Sequence, residues 1–99
     1  MKSIVNNLNK AFENRLRLGA MSLLMVNEWV DFNELKETLD ATDGNLASHL
    51  AALEKSGYIE VRKEFVGRKP KTSYQATRLG RKAFRDHLDT LEKIIRNNN

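Results

Sequence analysis

Thr42–Tyr58, TDGNLASHLAALEKSGY, followed directly by Ile59–Thr77, IEVRKEFVGRKPKTSYQAT, decides the fold of this chain. Leu46, Leu50 and Leu53 fall at i, i+4 and i+7, the spacing of one helical face turned to a core. Thr42 stands where an N-cap belongs, and Gly57 suits the left-handed position that closes a helix. The spacing therefore predicts a helix from Thr42 to about Ser56. Its other face carries Asn45, Ser48, His49 and Ala52, where a purely structural helix would favour Lys and Glu. In the second segment Ile59, Val61, Lys63 and Phe65 alternate with Glu60, Arg62 and Glu64, a strand pattern. Val66–Lys71 joins turn residues to positive charge and reads as a loop, after which Thr72–Ala76 returns as a second strand.

Upstream, NELKETL predicts a helix capped by Asn33, with Leu35 and Leu39 inward and an end near Asp40. Joined to the next helix through Asp40-Ala41-Thr42, it makes a helix-turn-helix over residues 33–56. Val30–Phe32 is a brief extended step. Before it, Leu16, Ala20, Met21, Leu23 and Leu24 form the apolar set of a helix reaching about Asn27, with Arg15 and Arg17 outside. Gly19 inside that helix marks close packing. Ile4, Val5, Leu8 and Phe12 predict an amphipathic helix within residues 1–14, capped by Ser3 and either separate from the next helix or continuous with it. Downstream of the hairpin (residues 58–76), Thr77 caps a last helix over 77–96. Its stripe of Leu79, Ala83, Phe84, Leu88, Leu91 and Ile95 is longer than a small core needs. The Asn97–Asn99 tail should fray. The expected architecture is mainly α with a small β-hairpin, an α+β winged helix-turn-helix forming a single domain over residues 1–99.

Ninety-nine residues at 40% hydrophobic content support one small core. No apolar run approaches the roughly 20 residues of a membrane span, and the start, MKSIVNNLNKAFENR, lacks the apolar stretch of a secretory signal. Without cysteine there is no disulfide framework or thiolate metal site, which fits a cytoplasmic protein. The net charge of +4 favours polyanions. Its distribution says more. Asp31, Glu34, Glu37, Asp40 and Asp43 make the early region acidic. Between Arg62 and Arg85, Glu64 is the one acid among Arg62, Lys63, Arg68, Lys69, Lys71, Arg78, Arg81, Lys82 and Arg85. Such a basic segment matches phosphate neutralisation, or else a solvated face.

These patterns describe a double-stranded DNA-binding surface, with one helix in the major groove and a basic loop on the backbone or in the minor groove. The first turn of the helix, with Thr42, Asp43, Gly44 and Asn45, offers free N–H groups and a positive dipole end to a phosphate. Asn45 can pair with adenine N6 and N7, and Ser48 and His49 can meet several base edges. Asp43 is read instead as a stabiliser of the first turn. Arg68, Lys69 and Lys71 would follow phosphates. Arg62 and Lys63 alternate faces, so only one of them can join them. Arg15 and Arg17 could touch the backbone or simply be solvated. His49 reads as a base contact or an inert surface residue, with metal ligation the weakest option. His87, beside Asp86 and Asp89, reads as packing, since the spacing makes a poor metal site. Trp29 reads as an anchor in the core or at an interface. No nucleophile, base and orienting acid assemble, and no cofactor is expected. Ile4, Val5, Leu8 and Phe12, with Phe84, Leu88, Leu91 and Ile95, are the expected interface of a twofold homodimer. Its recognition helices would face half-sites about 34 Å apart.

RLRLGAMSLLMVN (residues 15–27), DFNELKETLDATDGNLASHLAALEKSGYIEV (31–61) and GRKPKTSYQATRLGRKAF (67–84) together resemble the compact winged-helix transcriptional regulators allied to the MarR and ArsR groups. The likeness runs from Arg15 to about Leu91. It implies a dimeric DNA-binding regulator whose recognition helix is Thr42–Ser56 and whose wing tip is Gly67–Lys71. The chain lacks the cysteines or clustered histidines of metal-sensing ArsR proteins and the extra helices that build a ligand pocket in MarR proteins. Two other readings stand beside the regulator: a winged helix used as a protein-interaction module, and a ligand-responsive sensor on the same fold.

Overall fold

The computed structural model describes the backbone of residues 2–97 and the side chains of residues 4–96. The expected Ser3 cap and the Asn98–Asn99 end lie outside the described residues. Helix α2, Arg15–Val26, starts where the Asn14 side chain accepts from the N–H groups of Leu16 and Arg17. It buries Leu16, Ala20, Met21 and Leu24. A Cβ on Gly19 would lie 2.5 Å from Leu39 Cδ2, so the expected close packing is with the helix that follows. Strand β1, Val30–Asp31, leads straight into α3, Phe32–Leu39. Asp31, not Asn33, is the cap. Held extended by its pairing with Ser73, it accepts from Glu34 N–H at 2.7 Å, and the helix begins earlier than its polar start suggests. Asp40 closes α3 in the left-handed region at φ 49, a conformation that Asp tolerates better than most side chains.

Helix α4, Asp43–Lys55, keeps the expected cap, Thr42 Oγ1 accepting from Asn45 N–H at 3.3 Å. Leu46, Leu50 and Leu53 are buried, and Gly57 closes the helix at φ 80. Burying such a leucine contributes about 1.5–3 kcal/mol, so these three anchor the helix. The hairpin is β2, Ile59–Val66, and β3, Lys69–Ala76, and the sheet order is β1-β3-β2. The register pairs Ile59 with Ala76, Val61 with Tyr74, Lys63 with Thr72 and Phe65 with Pro70. The connection is shorter than expected: only Gly67 and Arg68 turn, with φ 66 at Gly67, and Lys69, Pro70 and Lys71 belong to β3. Pro70 fits because β1 pairs only with Ser73 and Tyr74, leaving the other edge of β3 open there.

Helix α5, Arg78–Asn97, starts where Thr77 Oγ1 accepts from Gly80 N–H at 2.9 Å and donates to Gly57 O at 2.6 Å. The first turn presses on the chain at Tyr58, where a Cβ on Gly80 would collide with the carbonyl group. The expected N-terminal helix is broken. Helix α1 covers Lys2–Val5, and a 3-10 turn covers Lys10–Phe12. Asn9 causes the break. In extended backbone it caps the turn by accepting from Ala11 N–H. Its Nδ2 donates to Tyr58 Oη, and its backbone N–H donates to His87 Nδ1, both at 3.0 Å. Phe12 then drops into the core, 5.0 Å edge-on from Phe84 and 5.4 Å from the Tyr58 ring. Phe12 and Phe84, expected at a subunit interface, are therefore core residues of one protomer.

The Cα radius of gyration is 15.0 Å and the extents are 56 × 25 × 21 Å. A compact chain of this length would have a radius near 13 Å. The extended form leaves apolar surface outside the single core.

Candidate nucleic-acid interface

Thr42, Asp43, Gly44, Asn45 and Ser48 are all exposed along the first half of α4. Thr42 Oγ1 takes the Asn45 N–H of that first turn, and the preceding N–H groups have no acceptor within the helix. Asp43 is not a bare negative charge: Lys36 Nζ sits 2.9 Å from its carboxylate. The pair joins α3 to α4 and reduces the repulsion a phosphate would meet. Gly44 has nothing within 4 Å of a would-be Cβ, so it leaves open space at that turn. His49 differs from its neighbours. It is half-buried, and Arg17 Nη1 lies 2.8 Å from its Nδ1.

The wing divides its cations by register. Arg68 and Lys69 are exposed at the tip. Lys63 and Lys71 line an open groove beside Asp31 and Asn33, where the hairpin faces the start of α3. Lys63, Arg68, Lys69 and Lys71 form no ion pair among the described residues. Arg62 is different. Its guanidinium lies 4.2 Å from the centroid of the Trp29 ring and 3.8 Å from Glu64, so it faces protein rather than standing with the tip cations. Trp29 is thus an anchor for the root of the wing. The same hairpin exposes Phe65 at 75% and also exposes Val66, because the strands run past the core that covers Ile59.

Three arginines from the cationic inventory are spent on the fold. Arg15 donates to Leu39 O at 3.1 Å. Arg81 donates to Met25 O and Leu24 O at 3.2 and 3.4 Å, satisfying carbonyls at the end of α2. Arg17 Nε donates to Ala11 O at 2.7 Å in addition to its contact with His49. Each partner is distant or irregular in the chain, so no local pattern marked these roles. His87 is buried, accepts from Asn9 N–H and lies against the Phe12 ring at 5.4 Å. Its role is packing, as its spacing suggested. Among the described residues no cluster of His, Asp and Glu could hold a metal, and no helix is long and apolar enough to cross a membrane.

The apolar stripe of α5 splits in two. Phe84 turns into the core beside the polar His87 and Thr90, and Ala83 is half-buried, while Leu79, Leu88, Leu91 and Ile95 stay exposed, Ile95 at 67%. Val5 is exposed on α1, which packs along α5, and Ile4 and Leu8 are half-buried.

An uncharacterized protein of Methanocaldococcus jannaschii is 36% identical over 88 residues, covering 89% of this chain and 96% of its own length. The structure of a transcriptional regulator homologue from Pyrococcus horikoshii superposes with a TM-score of 0.88 at 27% identity, over 100% of this chain and 99% of that one. The MepR–DNA complex from S. aureus shares the fold, with a TM-score of 0.75 at 15% identity over 99% of this chain and 81% of that one. The family model described as a winged helix DNA-binding domain matches residues 16–95. With the observed helix-turn-helix and hairpin, that match places the chain in the winged-helix family of DNA-binding domains.

Proposed function

We propose that this chain regulates transcription as a homodimer, with α4 in the major groove of duplex DNA and the wing on the backbone or in the minor groove. Thr42, Asp43, Gly44, Asn45, Ser48 and His49 form the groove-facing set. Arg68 and Lys69, with Lys63 and Lys71 behind them, neutralise phosphates. The observation that carries this reading is the exposed, Thr42-capped start of α4, with Asn45 and Ser48 exposed, in the same domain as a hairpin tip whose cations form no ion pair among the described residues. The dimer rests on Leu88, Leu91 and Ile95, exposed on α5 next to α1. A protein of this kind works in the cytoplasm, and the reading includes no catalytic step and no cofactor. Selection of duplexes from a random pool at near-physiological salt tests it. A symmetric motif with half-sites about one helical turn apart is expected. Recovery of no motif would overturn specific binding, and an asymmetric half-site would overturn the dimer.

Exposed Phe65 and Val66 on the wing favour a second reading, a protein-interaction module. It predicts negligible duplex affinity and partner binding that survives replacement of Arg68 and Lys69.

A further inference from the structure

The contact between Arg17 and His49 bears on which bases α4 can read. Arg17 Nη1 lies 2.8 Å from His49 Nδ1. A guanidinium has only N–H donors, so Nδ1 must be the acceptor. In the neutral imidazole the proton is then on Nε2. Arg17 is itself held in place: its Nε donates to Ala11 O at 2.7 Å, in the 3-10 turn that Asn9 caps. Among the described residues every buried side-chain nitrogen or oxygen has a partner. Among those residues His49 Nε2 makes no hydrogen bond, so that nitrogen is not buried and meets solvent. His49 also follows Asn45 by one helical turn, on the same side of α4.

We infer that Arg17 is a positioning residue that fixes His49 as an Nε2–H donor, so that His49 selects an acceptor edge in the major groove. Guanine presents two such acceptors there, N7 and O6, adenine presents N7 and thymine O4, whereas cytosine presents the N4 amino donor. His49 therefore favours guanine and rejects cytosine at its position. An unconstrained imidazole could switch tautomer and accept from cytosine, so without Arg17 the discrimination relaxes. This assignment rests on α4 entering the major groove.

Two measurements on the full chain test it. Nitrogen–proton correlation spectra of the free protein report the His49 tautomer, with the His87 signals assigned through His49→Gln. The native protein should show the Nε2–H form of His49, and Arg17→Met a mixture. A native Nδ1–H form would overturn the lock without any reference to DNA. Selection from a random duplex pool is then run with the native protein, Arg17→Met and His49→Ala, each first shown to be folded by circular dichroism. Both variants should lose roughly tenfold discrimination at the same base-pair position and keep the rest of the motif. If Arg17→Met keeps the full motif and only weakens binding uniformly, Arg17 acts on a phosphate and the inference fails. If the native protein selects no motif, the major-groove reading itself fails and the base assignment goes with it, while the tautomer result still decides the lock. Should Arg17→Met not fold, Arg17→Lys supplies the second variant. A lysine donor that reaches Nδ1 should restore the native tautomer and motif together, and restoration of one without the other refutes the coupling.

Discussion

Replacing Arg68 and Lys69 with Gln removes the two cations at the wing tip while keeping polar side chains of similar length. Both are exposed and form no ion pair among the described residues, so stability should change by no more than about 0.5 kcal/mol. The effect on DNA is larger. Each phosphate neutralised releases condensed counterions and contributes about 0.9 to the slope of log K against log salt. With one wing on each protomer of a dimer, the double variant removes about four such contacts and flattens the slope by roughly 3.6. At near-physiological salt each contact carries roughly fivefold in affinity, so the complex should weaken by about 10³-fold. Anisotropy titrations of a selected duplex between about 50 and 200 mM salt read both quantities. Arg62→Gln is the internal control. Its guanidinium rests on Trp29, so the slope should barely move, while unfolding should become easier by about 0.5–1 kcal/mol. An unchanged slope in the Arg68–Lys69 variant, or an equal slope loss in Arg62→Gln, would refute the assignment of phosphate contacts to the tip.

Leu88→Glu with Leu91→Glu places charge on the exposed stripe of α5; if the proposed dimer uses this face, sedimentation should find dimers of the native chain and folded monomers of the variant. Unchanged sedimentation would remove this face from the interface. Gly80→Ala drives a methyl group into the Tyr58 backbone, which no rotamer change can relieve, and should cost about 3 kcal/mol in urea unfolding. A loss below about 0.5 kcal/mol would show that α5 can shift freely. Burial, with Glu54 adding repulsion, holds the Tyr74 hydroxyl pKa above its ordinary value of 10.0. The stabilisation from the neutral phenol is therefore complete below pH 10.0 and is lost above it, as the unfolded chain ionises first. Thermal unfolding of the native chain should weaken through that range more than that of Tyr74→Phe, and parallel curves would refute the point.

The helix-turn-helix and hairpin were legible along the chain because they depend on local rules. The i, i+4, i+7 leucines of α4, its Thr42 cap, the Gly57 closure and the alternation from Ile59 onward each express a backbone period. The broken N-terminal helix was not legible. Ile4, Val5, Leu8 and Phe12 fit one stripe, but Asn9 gains partners from Tyr58 and His87, 49 and 78 residues away, and those bonds outweigh a helical turn. The stripe of α5 was visible only as a whole. Which part faces the core depended on Phe12 arriving to cover Phe84.

Charge shows the same division. Composition and order established a basic second half, a capped helix with a polar face and the turn between them, because counting and periodicity need no partner. Tertiary structure alone decided how each cation is used. Arg15 and Arg81 went to backbone carbonyls, Arg62 to an indole face, and Arg17 to the imidazole of His49, while Arg68 and Lys69 stayed exposed at the wing tip. A guanidinium is held where the fold brings a carbonyl, an imidazole nitrogen or an aromatic face within reach, and that proximity exists only once the elements have packed.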